Sequence, residues 1–191
     1  SNLFYHPYQA LLAEKLLEIS GMERAFFCNS GTEAVEASFK LARGFAYKNQ
    51  LGKDKNQILT LDDSFHGRTY GSLSATFNDT YRTPFGPLVP GFEFVKRNNV
   101  KDLQSKFNDK VCAIIIEPIQ GEGGVHACSE EFLQTTRELC HKHKSLLIFD
   151  EIQSGLGRTG RYFYFEKFGI RPDIIPLAKP LGVGLPLGSV L

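Results

Sequence analysis

The sequence predicts an α/β fold in which mainly parallel strands alternate with helices. Short, wholly apolar runs at 57–61, 111–116 and 146–149 are typical of buried strands. The segment 129–144 has helical spacing and joins two of these runs, so we expect a right-handed crossover between parallel strands. A chain of 191 residues with 42% hydrophobic content is long enough for one such domain with its own core.

Composition argues against several classes of function. A formal net charge of +1 gives no electrostatic basis for binding nucleic acid or membrane surfaces. No stretch approaches the roughly 18 apolar residues of a spanning helix, and no leader opens the sequence. We therefore expect a soluble, cytoplasmic protein, or a mitochondrial one if the source is eukaryotic. The start at Ser1 and the strand-like ending 188–191 suggest a piece of a longer protein.

The four cysteines show no metal-binding spacing. Cys28, Cys112, Cys128 and Cys140 contain no C-x-x-C pair, and two of them lie in strand-like runs. Free cysteines in such runs are usually small buried apolar residues. We expect neither a metal site nor a disulfide framework.

The first third of the chain predicts helix, strand, turn and helix. Residues 6–20 carry apolar side chains at helical spacing and are followed by Gly21, which favours a helix end. A short strand at 24–28 leads into Asn29–Ala34, and apolar residues at 35, 39, 42 and 46 continue as a helix. The free amides of such a helix start, with the hydroxyls of Ser30 and Thr32 around Gly31, could bind a phosphate. An ordinary N-cap at Ser30 is the alternative.

Two loops carry side chains that are unusual for loops. In 62–69, Phe65 could stack on a flat ring and Arg68 could hold a carboxylate, although Phe65 could instead fill the core and Arg68 could be a solvated charge. Residues 78–91 contain three prolines, so we expect an irregular connection, of the kind that is often functional. A helix is predicted near 100–107.

Glycine-rich segments follow later strands. Residues 117–124 hold two carboxylates and three glycines after an apolar strand. Glycosidase chemistry is a weak interpretation, because it depends on a carboxyl separation that sequence does not supply. The G-x-G at 155–157 does not lie between a strand and a helix, so a dinucleotide site is rejected.

Asp150 and Lys179 each follow a short apolar run. In an open α/β sheet, ligands lie beyond the carboxyl ends of the strands, so both side chains could reach one crevice. Pyridoxal phosphate needs a lysine to hold its aldehyde and a carboxylate to keep its ring nitrogen protonated. The pair therefore favours that cofactor.

Taken together, the motifs resemble a known family. They are Asn29–Ala34 (NSGTEA), Ser64–Thr69 (SFHGRT), Glu117–Gly124 (EPIQGEGG), Phe149–Gln153 (FDEIQ) and Leu177–Lys179 (LAK). In this order they resemble class III aminotransferases along nearly the whole chain. The resemblance implies a three-layer fold, with helices on both faces of a mainly parallel sheet, as in fold type I pyridoxal-phosphate enzymes. Residues 1–191 would be the central part of the large domain, without the N-terminal segment and the C-terminal small domain.

The resemblance also implies roles for individual residues. Lys179 would be the Schiff-base lysine that moves the substrate proton, and Asp150 would pair with the ring nitrogen. The other expected cofactor contacts are the ring hydroxyl for Gln153, the two ring faces for Ile152 and Phe65, and the phosphate for Ser30, Gly31 and Thr32. Arg68 would hold the substrate α-carboxylate, and Glu122 would govern the access of a second arginine. The sequence departs from the family at Pro180 and Val183, where small residues and glycines are usual.

The implied activity is a ping-pong transamination. An amino donor such as N-acetylornithine would leave its amino group on the cofactor, and 2-oxoglutarate would carry it away, as in arginine biosynthesis. Ornithine, succinylornithine and 4-aminobutyrate are alternative donors. A truncated, non-catalytic chain is the non-enzymatic alternative, and a homodimer is expected of the full-length protein.

Overall fold

The structure is a computed structural model, and it describes residues 3–191. The helices are α1 (Pro7–Ser20), α2 (Gly31–Lys48), α3 (Tyr70–Ala75), α4 (Asp79–Arg82), α5 (Val100–Lys106) and α6 (Glu130–His143), with 3₁₀ turns at Thr83–Phe85 and Tyr164–Lys167. The strands are β1 (Phe26–Cys28), β2 (Gln57–Leu61), β3 (Phe92–Val95), β4 (Val111–Ile116), β5 (Ile119–Gln120), β6 (His126–Ala127), β7 (Leu146–Phe149), β8 (Pro176–Leu177) and β9 (Gly188–Val190).

A parallel sheet forms the centre of the molecule. Its strand order is β3-β2-β4-β7, and all three pairings are parallel. The predicted pairing of β4 with β7 across the α6 crossover is confirmed. A single parallel bridge from Ile148 to Ile174 connects β7 to the segment that leads into β8. There β8 joins the antiparallel group β1-β9-β8.

Alternating side chains of the central strands form two hydrophobic cores, one on each face of the sheet. One core joins Ile58, Ile115 and Ile148 to the apolar side of α2, which is Val35, Phe39, Ala42 and Ala46. The other joins Leu59, Ile114 and Leu147 to Phe132, Leu133 and Cys140 of α6. Each fully buried side chain of this size contributes about 1.5–3 kcal/mol. The predicted α/β class, with helices on both faces of a mainly parallel sheet, is confirmed.

The ends of the main helices follow the expected capping chemistry. The side chains of Ser30 and Ser129 accept hydrogen bonds from the amides of Glu33 and Phe132. Gly21 ends α1 in the left-handed conformation at φ 68°, which glycine adopts without steric cost. These local signals explain why the predicted helices at 6–20 and 129–144 agree with α1 and α6.

One local prediction needs correction, and the structure adds detail to two other segments. The connection 78–91 is not wholly irregular, because the Asn78 side chain caps Thr80 to start α4, and Pro84 lies in the first turn of a 3₁₀ helix, where no amide donor is needed. Residues within 117–127 form the small hairpin β5–β6. The run 173–179 contributes a bridge and the two-residue β8. Across the described part of the chain, no helix has the length and apolar character needed to cross a bilayer.

Candidate active site

A cleft of about 400 Å³ opens where the central strands end. The loops after β1, β2, β4, β7 and β8 line it, so residues far apart in sequence meet there. From the predicted site it contains Ser30, Gly31, Thr32, Phe65, Glu122, Asp150, Ile152, Gln153 and Lys179. Arg68 is the predicted site residue that does not line this cleft.

The first turn of α2 forms one end of the cleft. Ser30 caps the helix through its hydroxyl, so the N-cap interpretation of this residue is geometrically satisfied. The amides of Gly31 and Thr32 make no hydrogen bond within residues 3–191 and remain available to an anion. A Cβ at Gly31 would lie 3.1 Å from the Ile152 side chain, so the glycine permits close packing of these two loops. The helix start therefore has both a cap and free donors.

The Thr32 hydroxyl belongs to a group of side chains that links α2 to α3. Its Oγ1 lies 2.9 Å from Thr69 Oγ1 and 2.7 Å from Ser72 Oγ. Thr69 donates in turn to the Glu36 carboxylate, which also accepts from the amides of Gly71 and Ser72. These bonds fix the position of Thr32 beside the free amides.

Asp150 lies buried at the base of the cleft, with 4% of its surface exposed. One carboxylate oxygen lies 2.7 Å from His66 Nδ1, and the other accepts a hydrogen bond from the amide of Ile152. His66 Nε2 is buried and has no hydrogen-bond partner within the described residues. Sequence reasoning did not assign His66 a role, although it follows Phe65 directly in the loop that was singled out. The structure adds it to the site.

Glu117 is a second buried carboxyl in the wall of the cleft. Its Oε2 accepts a hydrogen bond of 2.9 Å from the amide of Phe65, so it fixes the backbone of the residue expected to stack on the cofactor ring. Burial raises the pKa of Glu117 to about 7, Asp150 adds to the rise, and His66 and Lys179 oppose it. Burial therefore favours the protonated form of this carboxyl.

Glu151 has a similar pKa but a different role. Burial raises the pKa of this carboxyl to about 7, although hydrogen bonds from Ser154 and from backbone amides lower the pKa in part. Its side chain bonds Ser154 and the amide of Phe165, and it does not line the cleft. Glu151 thus holds the loop that leads to the second 3₁₀ turn.

Lys179 lies in a turn that borders the cleft, and its side chain is exposed in this chain. The turn closes with a hydrogen bond of 2.6 Å from the amide of Leu181 to the carbonyl of Ala178. Pro180 donates nothing to this bond, so its missing N–H is tolerated here. Val183, the other departure from the family pattern, adopts a left-handed backbone at φ 49°. That conformation is unfavourable for a β-branched residue.

Gln153, Glu122 and Arg68 define the outer part of the site. The Gln153 side chain occupies the space where a Cβ of Gly121 would lie, so Gly121 permits its position. Glu122 is exposed and accepts a hydrogen bond of 3.5 Å from Tyr81. The Arg68 guanidinium lies over the Tyr81 ring, 4.7 Å from its centroid, and lines a neighbouring cavity of about 220 Å³.

The cysteines are isolated from one another in function and carry raised pKa values. Burial raises the pKa of the Cys112 thiol to about 11 and those of Cys128 and Cys140 to about 12. All four cysteines are free. Among the residues that the structure describes, no group of three or more His, Cys, Asp or Glu side chains could hold a metal ion.

Comparison with known proteins places this geometry in context. The family model described as aminotransferase class-III matches residues 1–191. An acetylornithine aminotransferase of Methanocaldococcus jannaschii is 48% identical over all of this chain and 48% of its own length. A succinylornithine transaminase of Salmonella paratyphi A is 46% identical over 94% of this chain and 44% of its own length.

The solved structures agree with the relatives. An ornithine aminotransferase of Toxoplasma gondii, in a structure with partial occupancy of pyridoxal phosphate at its active site, aligns with a TM-score of 0.92 and 34% identity. That alignment covers 98% of this chain and 45% of the other. The chain thus spans about half the length of the proteins it matches.

Proposed function

Since the chain belongs to the class III aminotransferases, we propose that it forms the central part of a pyridoxal-phosphate-dependent enzyme that transfers an amino group from N-acetylornithine to 2-oxoglutarate. The observation that carries the proposal is the cleft that places Lys179, Asp150 and the start of α2 around one space. The acetylornithine and succinylornithine relatives support an acylated ornithine as the donor.

The residues of the cleft fit the proposed cofactor. The free amides of Gly31 and Thr32 suit its phosphate, because a helix N-terminus attracts anions. The buried Asp150 carboxylate suits a protonated ring nitrogen, and its bond to His66 fixes its orientation. Phe65, Ile152 and Gln153 would contact the ring, as the family resemblance implies.

Each proposed step can be assigned to side chains of this chain. Pyridoxal phosphate, when bound, supplies an electron sink for the carbon that bears the reacting amine, which in an N-acylated ornithine is the terminal carbon of the side chain. Lys179 Nζ would hold the aldehyde between turnovers and then carry the proton that leaves that carbon. Asp150 would keep the ring nitrogen protonated, and Arg68 would bind the substrate carboxylate by two parallel hydrogen bonds.

Donor choice and assembly complete the proposal. Succinylornithine is the second candidate donor, because a succinylornithine transaminase is 46% identical to this chain. Ornithine and 4-aminobutyrate are further candidates on family grounds. We propose that the full-length protein is a cytoplasmic homodimer and that its other segments complete the site. A chain of this extent without those segments could keep the fold and lack activity.

The test is covalent labelling of the cofactor lysine. The purified full-length protein is mixed with pyridoxal phosphate, its absorbance is recorded, and the adduct is reduced with borohydride and mapped. We expect a new absorbance band and a label on Lys179. A label on a different lysine, or none, would refute the proposal. Values of kcat/KM for the four donors, with 2-oxoglutarate as acceptor, then identify the substrate.

A further inference from the structure

Glu117 is a carboxyl in the cleft wall to which the family resemblance assigns no role. It directly follows β4 and is 5% exposed. Its Oε2 accepts a hydrogen bond of 2.9 Å from the amide of Phe65, and no described residue forms a hydrogen bond with its Oε1. Because Glu117 lines the cleft, Oε1 can reach a group that is bound there. One oxygen of the side chain therefore holds a loop, and the other is available to a ligand.

The groups around Glu117 leave it able to carry a proton. Within the described residues it forms no ion pair. His66 and Lys179 favour its ionised form, but burial has the largest effect on its pKa and, with Asp150, favours the protonated form. The Cys128 thiol, which donates to the Glu117 carbonyl, is uncharged at neutral pH because burial raises its pKa to about 12. A protonated Glu117 can donate a hydrogen bond through Oε1, which an ionised carboxylate cannot.

The cofactor proposed for this cleft offers a matching acceptor. Its ring hydroxyl is the contact expected of Gln153, whose side chain lies against the backbone of Gly121, in the loop that begins at Glu117. If Asp150 keeps the ring nitrogen protonated, that positive charge favours loss of the hydroxyl proton, and the ring oxygen becomes an anion. An ionised Glu117 beside this oxygen would repel it, whereas a protonated Glu117 can donate to it.

We propose that Glu117 is a cofactor-binding residue whose protonated carboxyl donates through Oε1 to the ring oxygen of the bound cofactor, while Oε2 holds the amide of Phe65. The inference rests on the proposed function, because it assumes that pyridoxal phosphate or its aminated form occupies the cleft. The cofactor then binds the protonated protein more tightly than the ionised one. Binding takes up a proton from solution, and the affinity falls as pH rises above 7.

The test measures the binding of pyridoxamine phosphate to the full-length protein. This form of the cofactor has no aldehyde to react with Lys179, so calorimetry in buffers of different ionisation enthalpy gives the Kd and the number of protons taken up. Wild type is compared with Glu117→Gln, whose amide group can donate at every pH and whose oxygen can still accept from Phe65. Between pH 7 and pH 8, the Kd of wild type should rise about fivefold relative to that of the variant. At pH 8 wild type should take up about one proton more.

Glu151→Gln is the matched control variant. Glu151 is also a buried carboxyl with a pKa of about 7, but it does not line the cleft. Its variant should take up as many protons as wild type, and its Kd should change with pH as that of wild type does, within about twofold. A role for Glu117 in the fold alone would likewise leave the proton uptake of Glu117→Gln unchanged.

A second ligand tests the acceptor atom in wild type, and it serves also if Glu117→Gln fails to fold. The 3-deoxy analogue of pyridoxamine phosphate lacks the ring oxygen, so no acceptor remains for the Glu117 proton. Its binding at pH 8 should take up about one proton fewer than the binding of pyridoxamine phosphate.

The inference is overturned if wild type does not bind pyridoxamine phosphate, if Glu117→Gln takes up as many protons as wild type, if Glu151→Gln loses the uptake, or if the analogue retains it. Borohydride labelling of Lys179 tests the proposed function separately. A label on Lys179 with unchanged uptake in Glu117→Gln would support the proposed function and refute the role of Glu117. A missing label with the expected proton uptake would refute the lysine chemistry and leave the role of Glu117 supported.

Discussion

The two ends of the parallel sheet both bury charged groups, but they do so differently. At the amino end of the strands, Lys55 is 5% exposed, and its Nζ donates to the carbonyls of Val111 and His143 at 2.7 Å. The carbonyl of Asp109 and the hydroxyl of Ser145 complete its surroundings at 3.3 Å. The chain itself therefore satisfies this buried amine.

At the carboxyl end of the strands, some polar groups have hydrogen-bonding atoms that no other group in the described chain satisfies. His66 Nε2 has no partner among the described residues, and the first amides of α2 are free. Glu117 lines the cleft with a pKa raised to about 7 by burial. Unpaired buried polar groups are costly unless a ligand compensates them. The buried groups at the amino end therefore contribute to stability, and those at the carboxyl end are available to a ligand.

The largest effect is expected for Lys179→Met. If the carboxyl end performs the chemistry, loss of the proton-transferring amine should lower kcat by about 10³-fold or more. The unfolding midpoint in urea should not change, because the side chain is exposed and makes no hydrogen bond in the described chain. Lys101→Met, at an exposed site on α5, is the matched control and should keep full activity.

Lys55→Met tests the amino end. The substitution leaves buried carbonyls without their donor, so we expect the free energy of unfolding to fall by about 3 kcal/mol. Urea denaturation followed by circular dichroism measures the change. The kcat of the folded fraction should stay within about twofold of wild type, because Lys55 does not line the cleft. A fall in the kcat of the folded fraction by much more than twofold would contradict the division between the two ends of the sheet.

Glu151 should make the stability of the folded chain depend on pH. Its pKa is raised from 4.5 to about 7 in the folded chain, so the folded state binds more protons than the unfolded state between these values. Stability should therefore fall as pH rises, by about 2 kcal/mol between pH 5 and pH 7 for this one group. Urea titrations at several pH values should show a shallower decline for Glu151→Gln. An unchanged slope would show that Glu151 does not carry this effect.

Val183→Gly probes the smallest effect, which is backbone strain beside the cleft. Val183 is 92% exposed and its φ is 49°, so the side chain contributes little packing in return for an unfavourable backbone. We expect glycine to raise the free energy of unfolding by about 1 kcal/mol, offset in part by the greater freedom of the unfolded chain. Thermal denaturation should show a higher Tm, and a lower Tm would refute the assignment of strain.

Sequence predicts the frame of the fold better than the detail of the site. Apolar runs such as Val111–Ile116 and the serine caps at 30 and 129 are local signals, and the structure agrees with each of them. The bond between His66 and Asp150 joins loops 84 positions apart, so no local pattern reports it. The same holds for Glu117, whose bond to the amide of Phe65 joins residues 52 positions apart.

The strand β9 has a consequence for the order of events during protein synthesis. It pairs with β1 on one side and β8 on the other, and the Ser189 hydroxyl bonds the carbonyl of Phe26, 163 positions earlier. The β3-β2-β4-β7 sheet can assemble as soon as β7 leaves the ribosome, but β8 gains its strand partner only with β9. Because long-range pairings of this kind form late, Lys179 should reach its position only after the β3-β2-β4-β7 sheet has formed. A nascent chain would then acquire its sheet well before it could retain a cofactor.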